Sequence, residues 1–328
     1  AIFTVVGFSF FGKNLYNSLL ITLGVYLFAK LKKVPFSRYI SQSLYGSALA
    51  PLVSEITFNM GLPLWQGILM GSAAGITIGL LITPLSIRFI GFHQGYNLYN
   101  TGFAAGIIGM FFTAVLRAAG IEVEPVNILS SGHNYIFALI LYLLFSAMFV
   151  LGLFYNCWSL KNYRIISSLN GRYGLDLVKS AGIGPVFVNM SLLGLISTSY
   201  VLVLRGELNG PTIGAILTVV GFGAAGKHPK NVLPIIIGVL ISKLANIYDP
   251  SSTVAIITAL FGTTLAPIAG TYGPFCGIIA GALHMVVSMN LTYLHGGINL
   301  YNNGFAGGFI AAVLVPIFDI FYSLKNRR

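Results

Sequence analysis

Two clusters of polar side chains interrupt an otherwise apolar chain: His93, Asn97, Tyr99 and Asn100 in the first, and His295, Asn299, Tyr301 and Asn302 in the second. In each, a glycine (Gly95, Gly297) sits two residues after the histidine and an apolar, Gly-rich run comes after the last asparagine. GYNLYNTGFAAG (95–106) therefore recurs as GINLYNNGFAGG (297–308), identical at nine of twelve positions. Amide and phenol groups donate and accept hydrogen bonds without net charge, and imidazole adds a titratable nitrogen. Such a set suits a small neutral polar solute, and these eight residues are the candidate substrate-binding residues. A motif just ahead of a helix also presents free backbone N–H groups and the positive dipole end, which favours a carbonyl oxygen or an anion. No Arg or Lys lies inside either motif, which argues against a multiply charged anion. A second reading is compatible with the first: Asn100 and Asn302 cap the helices after them, the tyrosines anchor at an interface, and Gly102/Gly106 with Gly304/Gly308 are small-residue packing contacts.

The medium around these residues is set by composition. The chain has 328 residues, of which 56% are hydrophobic and only 8% charged, with a mean hydropathy of +0.87. A soluble surface needs far more charge, so the solvent is a lipid bilayer and the protein crosses it several times. The net charge of +11 does not indicate nucleic acid, because the Lys and Arg fall in short loops between apolar runs, where they set topology. Cys157 and Cys276 have neither CxxC nor Cys/His spacing, so no disulfide framework, metal site or cofactor is implied.

Two further blocks repeat in the same order. AIFTVVGF (1–8) matches AILTVVGF (215–222) at seven of eight positions, and YGSALAP (45–51) matches FGTTLAP (261–267) at four of seven. Residues 1–120 are therefore read as a first membrane repeat and 121–328 as a second, with 121–214 lacking a counterpart in the first. That imbalance predicts a natural chain longer at its N-terminus by roughly a hundred residues. Apolar runs suggest about twelve membrane segments, near 1–12, 14–31, 39–58, 62–88, 101–119, 134–156, 183–204, 210–225, 231–247, 252–268, 273–294 and 303–322. Those near 1–12, 39–58, 210–225 and 252–268 are short or broken by Gly and Pro, as in re-entrant or interrupted helices.

If the segments alternate, 14 of the 18 Lys and Arg collect on one face, leaving Lys13, Arg117, Arg205 and Lys243 on the other with Glu122, Glu124, Glu207 and Asp249. That places the C-terminus in the cytoplasm. Seven segments separate the first block from its copy, so the two copies enter from opposite faces. The expected fold is thus all-α, a polytopic membrane protein of two inverted-topology repeats with broken or re-entrant helices. Its two polar motifs would meet near the midplane, where transporters of this architecture hold their solute.

Other motifs weigh less. GFSFFGKN (7–14) and GFGAAGKH (221–228) fit the spacing of a phosphate-binding loop but lack its Ser or Thr, so the lysine is read as the aqueous end of a short helix. Pro51 and Pro267 should break their helices and free carbonyls toward the centre, with Ser47, Thr263 and Thr264 at hand to satisfy them. Glu55, the carboxylate placed at membrane depth, is either a proton- or cation-coupling group or part of an external mouth. His284 and Asp319 have no repeated counterpart. No H-E-x-x-H, paired carboxylates or G-x-S-x-G supports an enzyme.

The tandem N-L-Y-N-x-G-F-A-x-G motif resembles an uncharacterised bacterial integral-membrane family, a domain of unknown function, over the whole chain; the resemblance implies a bacterial inner (plasma) membrane and no activity. A more distant likeness is to urea transporters, through Tyr99, Asn100, Gly102 and Gly106 with Tyr301, Asn302, Gly304 and Gly308. Thr101 and Asn303 interrupt that pattern, and the Leu-Pro and Thr-x-Pro-Phe filter signature of those transporters is not found. The expectation is a channel or facilitator for a small polar solute, urea-like or ammonia-like. The alternatives are a proton- or ion-coupled transporter and a non-conducting structural protein. Exposed apolar helix faces would permit a homo-oligomer.

Overall fold

The computed structural model describes residues 1–10, 12–123, 128–242, 248–300 and 302–326. Among them the regular secondary structure is α-helical, with short 3-10 turns. Helices α1 (Ile2–Ser9), α2 (Leu15–Leu31), α3 (Ile40–Gly46), α4 (Ala50–Phe58), α5 (Leu64–Phe89) and α6 (Asn100–Ala118) form the first series. Then come α7 (Asn134–Tyr155), α8 (Tyr163–Ser168), α9 (Leu177–Ala181) and α10 (Ile183–Val203). The last series is α11 (Gly210–Phe222), α12 (Pro229–Ser242), α13 (Thr253–Gly262), α14 (Ala266–Tyr272), α15 (Pro274–Leu291) and α16 (Asn302–Asn326). The repeated blocks put α1 to α6 in step with α11 to α16.

Among the described residues seven helices, counting the α13–α14 pair as one, are long and apolar enough to cross a bilayer. Large apolar side chains such as Leu139, Ile140, Leu143 and Leu144 of α7 are exposed on the outside, which in water would be untenable and in lipid is favourable. This is an all-α integral membrane protein. Two expected segments prove to be pairs: 39–58 is α3 and α4, and 252–268 is α13 and α14, each pair joined by a 3-10 turn, Ser47–Leu49 or Thr263–Leu265. The cause is Pro51 and Pro267, which sit at the start of the second helix of each pair, where a missing N–H is harmless. Helices α8 and α9, which the apolar pattern does not predict, are too short and mixed to leave such a signature.

Close approach between helices rests on glycine, as in other membrane proteins. A Cβ at Gly24 of α2 would collide with the carbonyl oxygen of Ile76 in α5 and lie 2.8 Å from the Gly79 Cα. The matching pair α12 and α15 meets the same way, with Gly238 against the Ile278 carbonyl and Gly281 against that of Ile235. Gly24→Val should therefore lower stability by about 2 kcal/mol or more, the usual cost of overpacking. Gly91→Ala, whose new methyl would meet only the Arg88 carbonyl oxygen at 3.6 Å, should be near neutral; thermal unfolding in detergent compares the two.

Candidate functional site

Each polar motif begins with the same tight turn. Gln94 and Gly95 have φ of 52° and 78°, and Gly296 and Gly297 have 52° and 81°, so two successive residues are left-handed in both copies. The turn is closed by the Tyr96 N–H donating to the His93 carbonyl at 2.9 Å and, in the second copy, by the Ile298 N–H donating to that of His295 at 3.0 Å. Glycine at the second position removes the penalty a Cβ would bring there.

Beyond the turn, each motif docks onto the opposite series of helices. The Leu98 N–H donates to the Thr264 carbonyl at 3.1 Å, and the Leu300 N–H donates to the Ala48 carbonyl at 3.1 Å. Ala48 and Thr264 hold the same place in YGSALAP and FGTTLAP, and Leu98 and Leu300 the same place in the motif. The interaction is thus made twice, once in each direction, between a motif and the helix break of the other half. Side chains repeat the exchange: Tyr96 is buried among Ile235, Leu265, Ile268 and Ala280, while Ile298, at the matching position, is buried among Ile21, Leu49, Leu52 and Ile78. Asn97 ties the junction further. Its Nδ2 donates to the Gly304 carbonyl at 2.8 Å, and its Oδ1 accepts from Thr264 Oγ1 at 2.5 Å and from the Tyr99 N–H at 3.2 Å.

Helices α6 and α16 meet where these motifs end. The position of a Cβ on Gly304 is 3.2 Å from the Gly102 Cα; one on Gly308 would strike the Phe103 ring and one on Gly106 the Phe305 ring. The contacts therefore run in opposite order along the two helices. Gly106 and Gly308 are small because each receives a phenyl ring from the other helix.

A lysine expected at an aqueous helix end lies instead at this junction. Lys227 is 0% exposed, and its Nζ donates to Tyr99 Oη at 2.6 Å and to Thr263 Oγ1 at 2.6 Å while lying 4.3 Å from the centroid of the Tyr99 ring. Lys13, its counterpart, is half-buried and donates to Ser47 Oγ at 2.5 Å beside an open cavity of about 740 Å³ lined also by Thr22, Ser43 and Leu44. Each hydroxyl passes a hydrogen bond on to a carbonyl of the preceding helix, Ser47 to Leu44 and Thr263 to Leu260. The reason is local: the carbonyl end of a broken helix, with a hydroxyl beside it, offers an ammonium group polar partners. A basic residue therefore does stand at the motif, contrary to the expectation drawn from the motif letters alone. The sign was present in the sequence as GxxxxGK and S/T-x-x-A-P, each occurring twice.

The remaining candidates divide between the junction and its outskirts. His93 Nε2 is 3.0 Å from Asn100 Oδ1, and Asn100 Nδ2 donates to the Ser86 carbonyl at 2.7 Å. Asn100 is thus not the cap of α6; that position is held by Tyr99, with no side-chain cap bond. His295 Nε2 lies 3.0 Å from the Gly106 carbonyl oxygen, another link between the halves. Asn299 is buried close to Gly109, and Asn302 opens α16 half-buried. Tyr301 lies outside the described residues. Glu55 lies in the second half of α4 and accepts from Asn59 Nδ2 at 2.6 Å. His284, unweighted in the sequence, is buried with Nε2 3.0 Å from Asn303 Oδ1, so it belongs to the second motif's surroundings. Asp319 accepts from the Tyr272 hydroxyl at 2.6 Å, a contact separate from Lys227.

A strap formed by residues 169–173 covers this junction on one side. The Tyr173 N–H donates to the Gly95 carbonyl at 2.9 Å, Arg172 Nη2 donates to that of Gln94 at 2.6 Å, and His228 Nε2 lies 3.0 Å from that of Leu169. Gly171 and Gly226 meet backbone to backbone. Asn189 of α10 closes a second side by donating to the Gly223 and Lys227 carbonyls, both at 2.7 Å.

Asn97→Ala removes one donor and one acceptor that link the halves and leaves buried partners unmet. It should cost about 2–3 kcal/mol. Asn290→Ala, which loses only a bond to the Val286 carbonyl on its own exposed helix, should cost less than about 0.5 kcal/mol. Chemical or thermal unfolding of the detergent-solubilised protein measures both.

No curated protein and no solved structure matches the chain. A family model does, over residues 1–118 and 155–320, and by that match the chain belongs to the family described as protein of unknown function DUF1576.

Proposed function

We propose that the protein is a membrane transporter, not an enzyme, in which two repeats inserted in opposite senses hold a small polar solute between them near the midplane. The observation that carries this reading is the pair of reciprocal hydrogen bonds, Leu98 to Thr264 and Leu300 to Ala48, which brings both motifs to both helix breaks. The order of contacts supports opposite insertion: Phe103 meets Gly308 while Gly106 meets Phe305, and Gly7 of α1 meets Gly214 while Gly221 of α11 meets Phe3 and Thr4. Two helices related by an axis in the membrane plane touch in this crossed order. The charge asymmetry of the loops supports a cytoplasmic C-terminus in a bacterial plasma membrane.

The site is closed in this conformation. Tyr99, Asn97, His93, His295 and Lys227 are all buried and are engaged by protein groups. A standing pore would leave some of them facing an open passage, so the solute passes by rearrangement of the halves, as in a facilitator of the carrier type. Glu55 is engaged by Asn59 at the end of α4, and uncoupled passage is the reading we favour.

Purified protein in liposomes tests the reading, with entry of urea, formamide, methylammonium and formate followed by light scattering. At least one probe should enter faster than into empty liposomes, with a rate that saturates with concentration, and Asn97→Ala should slow it about tenfold or more, as loss of a buried polar tie predicts. Rates identical to empty liposomes for every probe would favour a structural protein, and a rate that never saturates would favour an open pore.

A further inference from the structure

We propose that the solute is a small monoanion, of the carboxylate class, held by the ammonium of Lys227 between the two motifs. This rests on the transport reading and names its substrate class, replacing the neutral solute suggested by the motif letters.

The argument begins with an uncompensated charge. A fully buried ammonium is expensive unless an opposite charge or a full set of acceptors meets it. Lys227 has two hydroxyl acceptors and an aromatic face, all neutral. Among the described residues the one ion pair within 4.0 Å is Lys179 with Asp176, on the surface; no carboxylate reaches Lys227. The other described acids lie elsewhere: Glu55 with Asn59, Glu207 with the Gly132 N–H, Asp249 with Ser251, Asp319 with Tyr272, and Glu122 exposed after α6. Two hydroxyls occupy two of the three ammonium protons, which leaves one N–H to donate.

The surroundings add to the positive field. Helices α6 and α16 start at this junction, and α6 has no side-chain cap, so the N–H groups of its first turn face the region of Tyr99. Lys13 repeats the lysine-to-hydroxyl arrangement in the other half. A carboxylate would complete the pattern. It takes the third ammonium proton, and one negative charge balances the one buried positive charge. A cation such as methylammonium would meet repulsion, and a neutral amide would leave the charge unbalanced.

The test uses the whole protein in liposomes with formate, acetate, urea and methylammonium as probes. Wild type is compared with Lys227→Met, Lys227→Arg and Lys230→Met, the last an exposed lysine of α12. Formate or acetate should enter at least about tenfold faster than urea or methylammonium; Lys227→Met should lose about tenfold or more of that flux, Lys227→Arg should keep the anion preference, and Lys230→Met should match wild type. A second readout needs neither flux nor a stable Lys227→Met: formate at tens of millimolar should raise the unfolding temperature of wild type and Lys227→Arg in detergent, and urea at the same low concentration should not. Entry of urea or methylammonium with exclusion of both anions, or anion entry unchanged in a folded Lys227→Met, overturns the anion assignment while leaving transport intact. Flux of no probe overturns the transport reading, and absence of the formate shift then overturns the anion site as well.

Discussion

A helix that breaks inside a bilayer exposes backbone groups that lipid cannot satisfy, and every feature of the junction stems from how those groups are met. Proline marks the break at residues 51 and 267, and the Ala48 and Thr264 carbonyls lie in the 3-10 turn just before it. Each is satisfied by a backbone N–H from the opposite half. Each break thus takes a backbone hydrogen bond from the other half, so the halves are joined by the peptide backbone as well as by apolar packing. A bilayer gives little hydrophobic drive to pair helices, which makes this polar junction the larger organising force.

The same break accounts for the lysines. The hydroxyl beside each break, Ser47 or Thr263, relays from a lysine to a carbonyl one turn back. The lysine stands two residues before the next helix, α2 or α12, and the glycine ahead of it, Gly12 or Gly226, adopts a left-handed φ of 77° or 127° that turns the chain inward. The two halves are not identical, however. Lys227 is sealed by α10, the strap and Tyr99, whereas Lys13 borders a cavity. The groups that cover Lys227, Asn189 of α10 and the strap, belong to the segment 121–214, which has no counterpart in the first repeat.

Much of the architecture was legible in the letters, for physical reasons. The helices arise from long apolar runs, since a bilayer demands them, and the two interrupted helices arise from Pro51 and Pro267 within such runs. The importance of the duplicated motif was legible because the same polar letters recur in apolar surroundings. What the letters hid was depth. Lys227 sits after a glycine at the end of an apolar helix, which is how a lysine at the water boundary also looks; only the arrival of Tyr99 from 128 positions away distinguishes the two. Asn100 has the spacing of a helix cap, but the His93 ring and the Ser86 carbonyl claim its side chain first. The strap at 169–173 was invisible because its contacts are made largely by backbone groups, which sequence does not name.

The central claim is that the two motifs meet in crossed order, each on the other half. A cysteine pair tests it most directly: Phe103→Cys with Gly308→Cys, in a chain with Cys157 and Cys276 replaced by serine. The Gly308 Cβ position lies 2.7 Å from Phe103 Cγ, so once the ring is gone the two Cβ atoms fall in the range of about 3.5–4.5 Å that a disulfide spans. Rapid, near-complete crosslinking within one chain under mild oxidation in membranes is the predicted result. Failure to crosslink, in protein that remains folded, would contradict the crossed junction and the transport mechanism built on it.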